Sequence, residues 1–200
     1  MKIILIGASG KIGTAVHQAL AAQHDIIRVG SRNGDVVCDY TQPDSVKQMF
    51  SSVESFDALI CAAGGDSIFK SFTELTEEDY RYGFERKFVS QVRLLELGTP
   101  YANNGASFTF TSGFLSHYPN SFSIATGPLN AAIDTFVMNT APLLPQGIRL
   151  NMVSPAPIVE PNQKTTGLVT AAETAEFYVQ AVEGDFTGKI LRAWGGLPMP

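Results

Sequence analysis

Short apolar runs alternate along the chain with stretches in which apolar residues recur every three or four positions. Residues 2–7, "KIILIG", form a continuous apolar run, the pattern of a strand buried on both faces. Over residues 11–23 the side chains Ile12, Ala15, Val16, Ala19 and Leu20 share one side of a helix. "DIIRVGSR" and "DVVCDY" predict a second and a third strand. "TQPDSVKQMFSSV" predicts a helix with Pro43 and Asp44 at its start, where a missing N–H and a negative charge are favoured. "FDALICAAGG" is a fourth strand running into a glycine pair. After a loop with Phe69 and Phe72, one long helix is predicted over residues 76–102, capped by Thr76. "ASFTFTSG" is a fifth strand. "GPLNAAIDTFVMNTAPLL" is a helix capped by Thr126, with Pro128 in its first turn. "GIRLNMVSP", "AAETAEFYVQAVE" and "GKILRAW" complete the pattern as strand, helix and strand.

Strands and helices in strict alternation predict an α/β fold, a doubly wound parallel sheet with helices on both faces. No repeat, low-complexity run or linker divides residues 1–200, so a single domain is expected. In such sheets ligands bind outside the carboxyl ends of the strands, where strand order reverses. Composition adds little: 44 % hydrophobic, 16 % charged, mean hydropathy +0.07. The net charge of −5 and pI near 5.1 argue against nucleic acid or an anionic membrane as the main partner. Cys38 and Cys61 have no metal-site spacing and read as buried core thiols. "MKIILIG" is shorter than a signal-peptide core, and no apolar run nears the roughly 20 residues of a membrane span. A reducing cytoplasm is the expected setting.

Chemistry concentrates first at "GASGKIG", residues 7–13, between the first strand and the first helix. There Gly7 can turn with positive φ and Gly10 lets backbone approach a pyrophosphate. Gly13 lets the helix pack on the strand, while the free N–H groups of its first turn face an anion. A plain turn after a strand also uses glycine, but the flanking strand and helix favour a nucleotide. At the end of the second strand, where an acidic residue would bind a ribose 2′-hydroxyl, "GSRNGD" offers Ser31 and Arg32. These can donate to a 2′-phosphate, which favours NADP(H) over NAD(H). Asp35 opposes that charge, and a solvated surface arginine is the alternative.

At this point the chain resembles the short-chain dehydrogenase/reductases over nearly its whole length. The glycine loop appears as a GxxGxxG variant, and "CDYT" is similar to the family's acidic adenine contact, placing Asp39 there. "CAAG" resembles its NAAG stretch, with Cys61 in place of asparagine. "GIRLNMVSPAP" is similar to its RVN-x-x-xPG element, with Ala156 replacing glycine, and "FTGKILRAWGG" to its C-terminal strand and turn. The resemblance implies cofactor contacts from Gly7, Ser9, Gly10, Lys11, Ile12, Gly13, Ser31, Arg32, Asp39, Tyr40, Ala62, Ala63, Gly64, Pro155 and Ile158.

The family's reaction uses a tyrosine that protonates the substrate oxygen and a lysine four residues later that lowers the tyrosine's pKa. A serine after the fifth strand and an asparagine on the preceding helix complete the set. Ser112 occupies the serine's place, with a turn-forming Ser as the alternative. Aligned on "NAAIDTF", Thr126 stands at the tyrosine and Asn130 at the lysine, and neither can do the original chemistry. The one titratable residue of this stretch, Asp134, lies deep in the apolar run. Seven residues beyond Tyr80, Lys87 stands where the relay asparagine would be. It is read either as a replacement cation or as a solvated lysine. In "SGFLSHYPN", Tyr118 and His117 sit at the substrate end and either supply a proton or merely pack. Tyr82 reads as core or interface; His17 and His24 receive no role. "IVEPNQKTTG" can fold over cofactor phosphates but encloses little substrate.

Two functions are therefore expected. One is an NADP(H)-dependent reductase or dehydrogenase for a small carbonyl or alcohol, with Ser112, Lys87 and Tyr118 as its catalytic residues. The other is an NADP-binding regulatory or scaffold protein without turnover. In either case the helices at 76–102 and 127–144 imply a homodimer or homotetramer, through a face bearing Gly127, Ala131, Ala132 and Phe136.

Overall fold

Seven parallel strands form one sheet in the order β3-β2-β1-β4-β5-β6-β7 in the computed structural model, which describes residues 1–64 and 67–200. The strands are β1 (Lys2–Ile6), β2 (Asp25–Gly30), β3 (Val36–Val37), β4 (Phe56–Cys61), β5 (Ala102–Thr111), β6 (Arg149–Pro155) and β7 (Ile190–Ala193). The helices are α1 (Lys11–Leu20), α2 (Pro43–Val53), α3 (Glu77–Gly83), α4 (Ser90–Gly98), α5 (Thr126–Thr140) and α6 (Ala171–Glu183). This is the Rossmann-like doubly wound architecture that the alternating pattern predicts.

The continuous apolar run of β1 is needed because its two faces feed two different cores. Ile4 and Ile6 pack with Val46 and Phe50 of α2, Leu94 of α4 and Ile133 of α5. Ile3 and Leu5 pack on the other face with Val16 and Leu20 of α1 and Tyr178 of α6. The chain runs outward from β1 to β3, then returns to β4 on the other side of β1. Strand order reverses between β1 and β4, and the crevice at their carboxyl ends is where the glycine loop lies.

Three local expectations change. The strand predicted at "DVVCDY" keeps only Val36 and Val37. Asp39 ends it, because its Oδ1 accepts from the Thr41 N–H (3.0 Å) and hydroxyl (2.7 Å) and turns the chain into α2. The long helix is three segments: α3, a π-helical stretch at Phe84–Val89, and α4, ending in a short 3₁₀ turn. Thr76 caps α3 as expected, in a reciprocal capping box with Asp79. Thr126 does not cap α5. It is the first helical residue, the N-cap is Ala125, and the Thr126 hydroxyl donates instead to the Ile68 carbonyl (2.9 Å). On α5, Gly127 is buried against the Leu115 carbonyl, and Phe136 packs edge-on against Phe88. Gly65, the second residue of the glycine pair after β4, lies outside the described residues.

One buried polar link ties α6 to the sheet. The Thr111 hydroxyl donates to the Cys61 carbonyl (2.6 Å) and accepts from the fully buried Tyr178 hydroxyl (2.6 Å). Tyr178→Phe removes the second bond and is expected to lower unfolding free energy by about 1 kcal/mol, read by urea denaturation. An unchanged midpoint would show that the bond contributes nothing net.

Candidate active site

The glycine loop has the shape that its spacing implies. Gly7 has φ of +81°, and a Cβ there would lie 2.9 Å from the Ala63 nitrogen, so "CAAG" presses directly on the loop. A Cβ on Gly13 would come within 2.1 Å of the Gly7 carbonyl oxygen, which makes Gly13 a packing requirement. A Cβ on Gly10 meets only the Gly7 oxygen, at 3.4 Å, and otherwise faces open space. Among the described residues nothing accepts from the backbone N–H groups of Lys11 and Ile12. These orphan donors at the start of α1 and the cradle around Gly7 fit the diphosphate of a dinucleotide. The segment after β6 closes over them: Ile158 bridges to Val169, and Glu160 pairs with Lys11 at 3.6 Å.

Just past the end of β2, Ser31 and Arg32 are both exposed. Asp35 does not oppose Arg32. It is held by the Arg28 guanidinium through Nη2–Oδ1 (2.7 Å) and Nε–Oδ2 (3.0 Å) bonds, which pull its carboxyl down to about 2. Asp39 and Tyr40 are half-buried at the end of β3.

From the loop a cleft of about 500 Å³ runs across the carboxyl ends of the strands. Its walls include Gly10, Lys11, Ile12, Ala62, Gly64, Lys87, Ser112, Thr126, Asn130, Pro155 and Ile158. The sequence-predicted groups from six separate segments thus meet in one place. Phe69, Phe114, Leu115 and Asn120 line it as well. These wall residues, from the loops after β4 and β5, enclose the cleft further than "IVEPNQKTTG" alone could. Their signal in the sequence was only that they follow strands.

Lys87 is not the solvated lysine of the alternative reading. It is 4 % exposed, and its ammonium donates to Asn130 Oδ1 (2.9 Å) and to the Ser112 carbonyl (3.0 Å). Burial pulls its pKa down to about 8. The π-helical stretch puts Lys87 on the cleft side, and Gln91 holds it there. The Gln91 amide donates to the Lys87 and Thr111 carbonyls and accepts from the Thr111 N–H (3.2, 3.1 and 2.9 Å). No periodicity announced Gln91. π-helical turns inserted in α-helices are frequently found at functional sites.

Ser112 borders the cleft, and its Oγ is buried with no hydrogen-bond partner of normal geometry. Asp134 sits behind it on α5, 5 % exposed, its carboxyl raised chiefly by burial. Of the two readings given to each aromatic, Tyr118 takes the packing one and Tyr82 does not take the core one. Tyr118 is withdrawn from the site: its hydroxyl donates to the Pro198 carbonyl (2.5 Å), and its ring is wedged between Phe114 and Trp194. Tyr82 is 42 % exposed, with the Arg86 guanidinium over its ring, and is not core. Cys38 and Cys61 are buried free thiols as expected, and burial raises the Cys61 thiol to about 12. The described residues hold no group of three or more His, Cys, Asp or Glu side chains suited to a metal ion.

A family model described as enoyl-(acyl carrier protein) reductase matches residues 5–182 of the chain. The chain belongs to that family, one of the short-chain dehydrogenase/reductases. Among solved structures, the protein lin1944 from Listeria innocua is 34 % identical with a TM-score of 0.90, covering 97 % of this chain and 100 % of that one. A small-chain dehydrogenase solved in complex with NADPH is 24 % identical, TM-score 0.87, with coverage of 98 % and 97 %, and shares the fold. An uncharacterized oxidoreductase of Bacillus subtilis (strain 168), YhxD, is 28 % identical over 138 residues. That match takes in 68 % of this chain and 46 % of YhxD, so this short-chain dehydrogenase/reductase spans about half the length of the curated relatives it matches. No helix of the described residues is long and apolar enough to cross a membrane.

Proposed function

We propose that this chain is an NADP(H)-dependent reductase or dehydrogenase acting on a small carbonyl or alcohol, in which Lys87 takes over the cationic role of the family's lysine. The observation that carries the reading is the buried ammonium of Lys87, bonded to Asn130 Oδ1 and the Ser112 carbonyl at the cleft. The usual lysine position holds the amide and the usual asparagine position holds the cation, an exchange that keeps one positive charge at the reacting centre. The nicotinamide cofactor, when bound, supplies or accepts the hydride. Ser112 binds the substrate oxygen after rotation about χ1, and the Lys87 ammonium stabilises negative charge developing there. Thr126, at the tyrosine's place, has its hydroxyl turned to Ile68 and takes no part. Phe69, Phe114 and Leu115 favour a carbonyl carried on an apolar group.

NADP(H) is preferred because Arg32 stands exposed just past the end of β2 while Asp35 is neutralised by Arg28. Fluorescence titration should show NADPH binding much tighter than NADH. Arg32→Ala should weaken NADPH about tenfold or more, the 1.5–3 kcal/mol of a charge-assisted contact, and leave NADH unchanged. Equal affinity for both cofactors would remove the preference, and no binding of either would remove the oxidoreductase. An aldehyde and ketone panel then separates this reading from a dinucleotide-binding scaffold. Ser112→Ala abolishes turnover in the first and changes nothing measurable in the second.

The reading includes a homodimer or homotetramer assembled through the α3–α4 and α5 helices, supported by the half-exposed Ala131 and Ala132 and the exposed Met138 and Leu143. It also includes a reducing, cytoplasmic setting, supported by two unpaired buried thiols. Nucleic acid and membrane have no part in it.

A further inference from the structure

We propose that Asp134 and His117 form a proton path ending at the Ser112 hydroxyl, so that the proton completing carbonyl reduction enters from solvent through Ser112. The inference rests on the reductase reading above and names the proton source that the absent tyrosine leaves open.

The geometry is specific. Ser112 Oγ and Asp134 Oδ1 are both shut off from solvent, and neither has a hydrogen-bond partner of normal geometry. The Ser112 hydroxyl is nevertheless near enough to help hold the Asp134 carboxyl down. The other carboxyl oxygen, Oδ2, accepts from Ser116 Oγ (3.0 Å) and lies 4.0 Å from His117 Nε2. The His117 side chain is 29 % exposed and rests on Trp194, with ring centroids 5.2 Å apart. One buried carboxyl thus stands between a hydroxyl at the cleft and an imidazole that reaches water.

A structural role alone explains this poorly. A buried carboxyl kept for stability is expected to have both oxygens bonded, and Oδ1 has none. The charged and polar groups that act on Asp134 are few. Ser112, Ser116, His117 and Arg192 favour its ionised form, and Lys87 is close enough to feel its charge. Burial outweighs them and raises the carboxyl, so Asp134 holds a proton more readily than an exposed aspartate.

The transfers balance. As hydride reaches the carbonyl carbon, the Ser112 O–H bond breaks and its proton forms the O–H of the product alcohol. The Asp134 carboxyl proton moves to Ser112 Oγ, the His117 imidazolium reloads the carboxyl, and solvent reloads His117. Each turnover consumes one hydride and one proton; alcohol oxidation runs the same path outward.

The test uses the whole chain. Carbon-13 NMR follows the Asp134 carboxyl through a pH titration in wild type, His117→Gln and Ser112→Ala, with no cofactor required. Its midpoint should rise in both variants, since each removes a group that favours the ionised form. Carbonyl reduction with NADPH is measured alongside. Asp134→Asn should lose about 10²-fold in kcat, the scale of a lost general acid, with KM near wild type. His117→Gln should lose less and regain rate with added imidazole, because its site is open to solvent. An Asp134 midpoint indifferent to both variants, or an Asp134→Asn protein reducing carbonyls at the wild-type rate, overturns the path. A wild type that reduces no carbonyl defeats the reductase reading instead, while the NMR titration still reports the coupling.

Discussion

Lys87→Met is expected to cut carbonyl reduction by about 10²–10⁴-fold, the range for loss of a positioned catalytic group, while making the protein harder to unfold. The two effects have one cause. The ammonium is 4 % exposed and bonded to two neutral oxygens rather than to a carboxylate. Its desolvation is therefore poorly offset, and an apolar side chain of similar length suits the site better by roughly 1–3 kcal/mol. The sign of the pH dependence follows. The folded pKa, about 8, lies below the usual 10.5, so the folded state binds the proton less tightly than the unfolded chain. Below pH 8 both states are protonated and the destabilisation is fully present. Between about 8 and 10.5 the folded protein releases the proton first, and wild-type stability gains on the variant. Reduction should fall over the same rise through pH 8, as the charged form is lost. Thermal melts and kcat/KM of both proteins across that range check both statements. A less stable Lys87→Met protein, or one that keeps its activity, would show that Lys87 serves the fold rather than the reaction.

Gly13→Ala and Gly10→Ala should behave as opposites although both glycines belong to one motif. A methyl at Gly13 overlaps the Gly7 carbonyl oxygen at 2.1 Å and the Gly7 carbon at 2.8 Å. Both are backbone atoms in a loop pressed on Ala62 and Ala63, so nothing can rotate away. Overpacking of this kind costs about 1–3 kcal/mol or more, and the loop that gives way is the one proposed to hold the cofactor. Loss of thermal stability together with loss of NADPH binding is the expected result. A methyl at Gly10 meets one atom at 3.4 Å and should leave the melting temperature nearly unchanged. It projects where a diphosphate would approach, so NADPH affinity should fall about tenfold, equivalent to 1.4 kcal/mol. Calorimetry and fluorescence titration separate the two. If Gly10→Ala binds NADPH normally, the loop is a turn and not a phosphate site.

Much of the molecule was legible in the sequence, for reasons that differ between regions. The continuous apolar run of β1 and the helical spacing of α1 need no tertiary information, because each is dictated by which faces must leave water. The glycine loop was legible because a positive φ at Gly7 and backbone contact at Gly13 exclude every other residue type. The breakdown came where a side chain had two local options and distant atoms chose. Thr126 had an N-cap available but bonds Ile68, 58 positions away. Tyr118 stood in the right loop, yet its hydroxyl bonds Pro198, 80 positions on. Asp35 was expected to act on its neighbour Arg32 and pairs across the turn with Arg28.

The charged centre shows the same division. By itself the sequence determined the α/β sheet, the place of the glycine loop between β1 and α1, and the absence of a titratable side chain at positions 126 and 130, because these follow from local pattern and residue chemistry. Only the tertiary structure decided that Lys87 is buried against Asn130 and the Ser112 carbonyl, since that depends on a π-helical turn and on Gln91 reaching β5. It likewise decided that Asp134, an acid embedded in an apolar run, faces Ser112 and His117. Burial and cross-chain hydrogen bonds set the pKa of such groups, and both are sums over residues that the chain brings together only when it folds.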